Sequence, residues 1–295
     1  MAASAISMAK VPKVSIHFQK PGFTPTTPEE LERLEPLYAA GGTRIKNFSP
    51  TVAVKYGSRL EVKEATTMIF IAEHTSIPVP KVHAVYTYGP FDRPDFDAVD
   101  EYDTYIFMDY IDGETLEKAW ENLDGQTKSS IMADLKHCLE ELRSLQGGTY
   151  VGSLEYGPVM DQIVEWHNIN QDLKLTGSTG PFTSVKDFHD TVIDAYCKIR
   201  KGHVRPYITG MLNTREYGIV FTHADLRPPN IMIKDGHIVG IIDWEMSGWY
   251  PEWWEFAKAF LIWKFPNDWG TYLLEIMKPY YLEAEAHAQL MQMLL

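Results

Sequence analysis

Between Phe221 and Glu245 the chain reads FTHADLRPPNIMIKDGHIVGIIDWE, and no other stretch restricts the fold as much. Asp235-Gly236 sits between two β-branched runs, NIMIK and HIVGIID. That dipeptide favours the left-handed backbone of a two-residue hairpin turn. A tight hairpin folds its two ends together, so Asn230 and Asp243 are expected to be neighbours. An amide oxygen and a carboxylate are hard ligands suited to Mg²⁺. Asp225, in the loop just ahead, can stand beside them as a base or orienting group. His223 is expected to hold that loop by hydrogen bonds rather than to move protons.

The chain on either side divides into parts of different class. Residues 1–26 read as irregular. Thr27-Pro28-Glu29-Glu30 then carries a capping box, and Leu31, Leu34, Leu37 and Tyr38 extend a helical stripe that Gly41-Gly42 ends. Two strand-like runs follow, TRIKNF and TVAVKYG, then a helix over about 60–73, then VHAVYTY, an acidic loop over 92–103 and TYIFMDY. Beyond Tyr110 helical spacing dominates. Ile131, Leu135, Cys138, Leu139, Leu142 and Leu145 recur on one face of a helix over 126–146. Further helices are expected near 159–174, 184–200 and 250–264, with TGSTGPFTS (176–184) as a loop and IVFT (219–222) as a strand. The division gives 1–26 as an irregular segment, 27–109 as a small β-rich part that binds nucleotide phosphates, and 110–295 as a mainly helical part that holds the catalytic loop, metal and acceptor. The hinge falls near Asp109–Gly113.

Charge and composition exclude several classes. The net charge is −13, which opposes broad nucleic-acid binding. Residues 1–109 carry −3 of it and residues 110–295 carry −10, so a cationic substrate would suit the second part, although many soluble proteins are acidic. No apolar run approaches the roughly 18 residues of a membrane span. The N-terminus has no signal-like apolar core. Cys138 and Cys197 are too few for a disulfide framework and read as reduced, inert residues of a cytoplasmic protein.

The spacing H-x-D-x-x-x-x-N, followed thirteen residues later by Asp243, resembles the catalytic and metal-binding segments of the protein-kinase-like superfamily. The wording VAVKYG, IPVPKV, MDYIDGETL, FTHADLRPPNI and IIDWEMSGWYPEWWE resembles the aminoglycoside phosphotransferase (APH) and choline-kinase-like branch, in its fungal form, over roughly residues 40–285. The resemblance implies an α+β, two-lobed protein-kinase-like fold, with a small antiparallel N-lobe sheet and a larger, mainly helical C-lobe. It also implies transfer of the γ-phosphoryl of ATP, or GTP, with Mg²⁺, to a hydroxyl of a small molecule that could carry an amine. Asp225 matches the catalytic Asp, and Arg227 sits where a cation near the γ-phosphate is common. Asn230 and Asp243 match the metal ligands. Lys55 matches the phosphate-holding strand lysine, with Glu64 as its ion-pair partner and Glu61 in reserve. Within MDYIDG, the Asp109 carbonyl and the Ile111 amide are the expected adenine contacts. Glu245 is a second metal contact, a carboxylate facing a cationic substrate, or simply solvated.

Two features depart from a protein kinase. The turn Asn47-Phe48-Ser49-Pro50 lacks the glycines that let backbone approach phosphate. Asp243 and Glu255 are twelve residues apart, which leaves little room for a peptide-docking activation segment. The aromatic run WYPEWWEF puts Trp249, Trp253 and Phe256 on one helical face. It reads either as core or as an acceptor wall where Glu252 or Glu255 meets an amine. Two alternatives carry other functions. One is a nucleotide-binding scaffold without turnover, which the glycine-free turn favours and the set Lys55, Asp225, Asn230 and Asp243 opposes. The other is nucleotidyl transfer on the same fold. Oligomeric state is not legible in the sequence.

Overall fold

A computed structural model describes residues 11–40, 42–92, 101–161, 179–200, 204–261 and 267–291. The chain divides into two compact units, Met1–Ile69 with Pro80–Ile111, and Phe70–Val79 with Asp112–Leu295.

The first unit is built on a six-stranded sheet. Its strands are β1 (Lys13–Gln19), β2 (Pro36–Ala40), β3 (Thr43–Ser49), β4 (Val52–Gly57), β5 (Val82–Gly89) and β6 (Asp103–Asp109). The spatial order is β1-β5-β6-β4-β3-β2, and every neighbouring pair is antiparallel. Central β4 is buried along its whole length. One face carries Val52, Val54, Tyr56, Tyr86, Tyr105 and Phe107, with Leu31 packed over it. The register sets Tyr56 opposite Tyr105 and Tyr105 opposite Tyr86. Those rings stack at 5.1 and 4.7 Å. Alternation leaves Ala53 and Lys55 for the other face.

Both ends of this sheet correct the sequence reading. Residues 13–19 are not irregular, because KVSIHFQ pairs along β5 as an edge strand. The helix expected from Thr27 to Gly41 stops after one turn, α1 (Pro28–Leu31). Its capping box forms as expected, Thr27 accepting from the Glu30 amide and Glu30 from the Thr27 amide. The cause of the early stop is Pro36, which lacks an amide donor and drives Glu35 out of helical backbone. Leu37 and Tyr38 therefore enter β2, where both are exposed. Helix α2 (Val62–His74) follows β4 as the pattern predicts.

The second unit is mainly helical. It contains α3 (Leu116–Ala119), α4 (Gly125–Ser144), α5 (Val185–Arg200), α6 (Arg205–Leu212), α7 (Trp254–Leu261), α8 (Trp269–Ile276) and α9 (Tyr281–Met291). Asp124 caps α4 by accepting the Thr127 amide at 2.7 Å. Ile131, Leu135, Cys138, Leu139 and Leu142 are buried along its inner face, as their spacing requires. Two small sheets interrupt the helices: β7 (Glu114–Thr115), β9 (Ile231–Lys234) and β10 (His237–Ile241) form one, and β8 (Ile219–Thr222) with β11 (Gly248–Pro251) the other. Asp235 and Gly236 close the β9–β10 hairpin with φ of 52° and 78°.

The helix expected over 250–264 begins only at Trp254, because Gly248–Pro251 pairs with β8. Most of the helix expected near 159–174, part of the 92–103 loop and part of the 176–184 loop lie outside the described residues. Both cysteines are free, and burial pushes the Cys138 thiol up to about 12. No helix among the described residues is long and apolar enough to cross a membrane.

Candidate active site

In the second unit, β8 carries the chain out of its sheet and into His223-Ala224-Asp225, all three buried. Ala224 takes φ 66°, a left-handed conformation that a residue with a Cβ adopts only when its surroundings enforce it. Glu255 on α7 is one of the groups that hold it there. Its buried carboxylate accepts the His223 amide at 2.7 Å and the Ala224 amide at 3.1 Å. From the other side Ser247 Oγ donates to the His223 carbonyl at 3.1 Å. The His223 ring locks the same loop. Nε2 lies 3.1 Å from the Ile242 carbonyl, and Nδ1 accepts the Asp225 amide at 3.2 Å. An imidazole that donates from one nitrogen and accepts at the other is neutral. Burial agrees, pushing the His223 pKa down. The expected loop-holding role of His223 matches these contacts.

The hairpin joins the remaining groups. The Ile242 amide donates to the Asn230 carbonyl at 3.0 Å, which ties the hairpin's exit to its entrance. Asn230 Nδ2 donates to the Asp225 carbonyl at 2.9 Å and to Asp225 Oδ2 at 2.7 Å. Both amide hydrogens are thereby used, and the amide oxygen is the atom Asn230 can offer a cation. Arg227 Nε lies 3.0 Å from the same Asp225 oxygen. Burial raises the Asp225 pKa, the Asp243 charge adds to the rise, and Arg227, Lys258 and the Asn230 hydrogen bond oppose it. Asp243 directly follows Ile242 at φ 67°, a second left-handed non-glycine residue.

In the first unit Lys55 and Glu64 form a buried ion pair. Nζ lies 2.9 and 2.8 Å from the two carboxylate oxygens, and Glu61 is exposed. At the end of β6 the Asp109 amide donates to the Lys81 carbonyl at 3.0 Å, and the Asp109 carboxylate lies 2.7 Å from His83 Nε2. Ile111 follows, half-buried. The turn expected at 47–50 is displaced: β3 runs through Ser49, and the reversal falls on Pro50 and Thr51, whose amide donates to Ser49 Oγ at 3.3 Å.

The acidic residues expected to meet a substrate need correction. Glu255 is spent on the catalytic-loop backbone and faces no solvent. Glu252 is half-buried, with its carboxylate 3.6 Å from Lys278 Nζ. Glu245 is exposed beside the hairpin exit. Trp249, Trp253 and Phe256 are buried, so core packing is the reading that holds, and Trp249 sits on β11 rather than on a helix. Sequence reasoning missed the anchoring role of Glu255. The signal was present: in WWEFAKAF an ionised residue stands inside an apolar helix, and a buried charge needs an internal partner. Lys258 in the same helix has one too, Asp161 at 2.6 Å, with both side chains buried.

Phosphoryl transfer asks for little covalent chemistry and much fixed charge. A loop aspartate locked beside an asparagine, with a second aspartate at the exit of the same hairpin, is an arrangement suited to phosphoryl transfer. The APH model, described as the phosphotransferase enzyme family, matches residues 58–291, and the chain belongs to that family. None of the curated proteins compared matches the chain. Three solved structures share its fold at low identity. APH(2″)-IIa, in a ternary complex with streptomycin and ATP, is 15% identical with a TM-score of 0.53, covering 90% of this chain and 87% of its own. A thermostable mutant of the aminoglycoside phosphotransferase APH(4)-Ia, with ADP and hygromycin B, is 14% identical with a TM-score of 0.52, covering 87% and 83%. APH(3″)-Id from Streptomyces rimosus is 14% identical with a TM-score of 0.52, covering 86% and 92%.

Proposed function

We propose that this enzyme transfers the γ-phosphoryl group of ATP to a hydroxyl of a small, amine-bearing molecule. The observation that carries the reading is the 2.7 Å bond from Asn230 Nδ2 to Asp225 Oδ2. It fixes the aspartate and leaves the asparagine's side-chain oxygen as the atom it can offer a cation. Asp225 aligns the acceptor hydroxyl and takes its proton as the oxygen attacks phosphorus. Arg227, which bonds that carboxylate, would supply positive charge to the γ-phosphate. Lys55, held by Glu64, meets the α- and β-phosphates. The Asp109 carbonyl and the Ile111 amide read the base, which leaves GTP as a second nucleotide to test.

The donor set fits Mg²⁺, since an amide oxygen from Asn230 and a carboxylate from Asp243 are the hard oxygens this ion takes. Bound there, the ion would neutralise phosphate charge. Relatives of this fold in complex with ATP, ADP and aminoglycosides support both the nucleotide and a polyhydroxylated acceptor. The intact Lys55–Glu64 pair favours turnover over a scaffold.

Calorimetric titration of ATP with and without Mg²⁺, on wild type, Asp243→Ala and Asp225→Asn, tests the reading. Wild type binds ATP more tightly with Mg²⁺, and Asp243→Ala loses that gain. Asp225→Asn binds MgATP normally and turns over about 10²- to 10⁴-fold more slowly. A fully active Asp225→Asn enzyme would sink the mechanism.

A further inference from the structure

Where β5 begins and β6 ends, the ladder is irregular. Val82 of β5 stands opposite Met108 of β6, and Ala84 stands opposite Phe107, so His83 is the extra residue of a β-bulge. Strict alternation would put His83 and Ala84 on opposite faces of the sheet. The bulge sets both against the same aromatic layer. Ala84 belongs to the buried cluster of Tyr86, Tyr105 and Phe107, and the His83 ring stacks on Phe23 at 5.2 Å with 22° between the planes. Phe23 in turn packs edge-on against Phe48 and Phe107, at 5.9 and 5.6 Å. The Lys20 amide donates to the His83 carbonyl at 2.8 Å. The segment that follows β1 thus holds both the ring and the backbone of His83.

The re-aimed ring meets Asp109. Nε2 lies 2.7 Å from Asp109 Oδ1, and since a carboxylate only accepts, Nε2 carries the proton and donates. The other carboxylate oxygen, Oδ2, accepts the Lys81 amide at 3.3 Å. That second bond changes what the backbone does. One step beyond Val82 and Met108, Lys81 stands opposite Asp109, and the Asp109 amide donates to the Lys81 carbonyl at 3.0 Å. In a hydrogen-bonded antiparallel pair the return bond runs from the Lys81 amide to the Asp109 carbonyl. Here that amide goes to the Asp109 side chain. The carboxylate draws off the donor that a regular ladder would give the carbonyl. On the other flank the Tyr110 amide donates to the Thr51 carbonyl at 2.9 Å, which holds the next residue against the start of β4.

We propose that His83 is a positioning residue for the nucleotide: by holding the Asp109 carboxylate over the Lys81 amide, it keeps the Asp109 carbonyl open to the exocyclic amine of adenine. The inference rests on the base-reading role given above to that carbonyl. Without the imidazole the carboxylate turns to solvent, the Lys81 amide closes on the carbonyl, and the ladder competes with the base.

The test compares ATP with purine riboside triphosphate, which lacks only the exocyclic amine, by calorimetry with Mg²⁺. Wild type binds ATP about fivefold more tightly, the size of one hydrogen bond. His83→Phe keeps a ring against Phe23 and loses the donor. It erases most of that advantage by weakening ATP and leaves purine riboside triphosphate unchanged. His83→Gln, which can still donate, restores part of it. Asp109→Ala erases the same advantage, and the double variant loses no more than either single one, because both act on one carbonyl. Should His83→Phe fail to fold, Asp109→Ala and His83→Gln carry the same comparison. An ATP advantage that survives in these variants overturns the assignment. Equal weakening of both nucleotides does so too, since it marks a general support of the sheet. A wild type that binds both nucleotides equally removes the base contact and this inference, while phosphoryl transfer stands. A wild type that binds neither overturns the phosphotransferase reading itself, and this inference with it.

Discussion

Glu255 shows how much one side chain can hold in place. Its two oxygens serve the amides of His223 and of Ala224, the residue held in left-handed backbone. In Glu255→Gln the amide keeps one acceptor and brings a donor against a backbone N–H. An unsatisfied buried donor costs about 1–3 kcal/mol. The loop should then relax at Ala224 and move Asp225. The expected outcome is a loss in kcat of about ten- to a hundredfold, since small misplacements of reacting groups carry such factors, with a modest drop in Tm. Steady-state kinetics beside a thermal melt check it, and a variant that melts lower with unchanged kcat would confine Glu255 to stability. This residue also marks a limit of sequence reading. The spacing of His223, Asp225, Asn230 and Asp243 was legible because each lies within one loop and one hairpin. The partner of Glu255 was not, since it lies 32 residues away across a helix packing.

At the scale of elements, the β9–β10 hairpin was readable and the edges of the large sheet were not. A two-residue turn is a local event set by the φ preferences of Asp235 and Gly236. Strand β1 gains its place only by pairing with β5, some seventy residues on, and no local rule anticipates that partner. In the case of α1 the local signal existed, since Pro36 contradicted the apolar stripe at Leu37 and Tyr38, and the proline won. The hairpin also carries a prediction. Gly236 has φ 78°, where a β-branched residue is strained. Gly236→Val should cost about 1–2 kcal/mol and loosen the register that ties Ile242 to Asn230. ATP affinity should fall in the presence of Mg²⁺ and change little without it. Equal losses in both conditions would mean that the hairpin shapes the site generally rather than through Asn230 and Asp243.

Across the molecule, the second unit keeps three histidines among the described residues neutral in its interior, and this ties stability to pH. Burial lowers the pKa values of His189, His223 and His287, the last to about 3. His287 on α9 packs edge-on against Trp254 at 4.8 Å, and neither ring nitrogen has a hydrogen-bond partner. An unfolded histidine titrates near 6.5. Between that value and about 3 the unfolded chain binds a proton at His287 that the folded chain does not. Stability from this residue is therefore complete above pH 6.5. It falls by about 1.4 kcal/mol per pH unit as the solution is acidified through that window. His287→Phe removes the titrating group and two unpartnered polar atoms while keeping a ring against Trp254. Urea melts followed by tryptophan fluorescence at pH 7 and pH 5 should show the variant as stable as wild type or more so at pH 7. They should also show it losing less on acidification, by about one such step per pH unit below 6.5. The remaining slope would belong to His189, His223 and the carboxylates. An identical slope in variant and wild type would mean that His287 is already charged, or already solvated, in the folded protein.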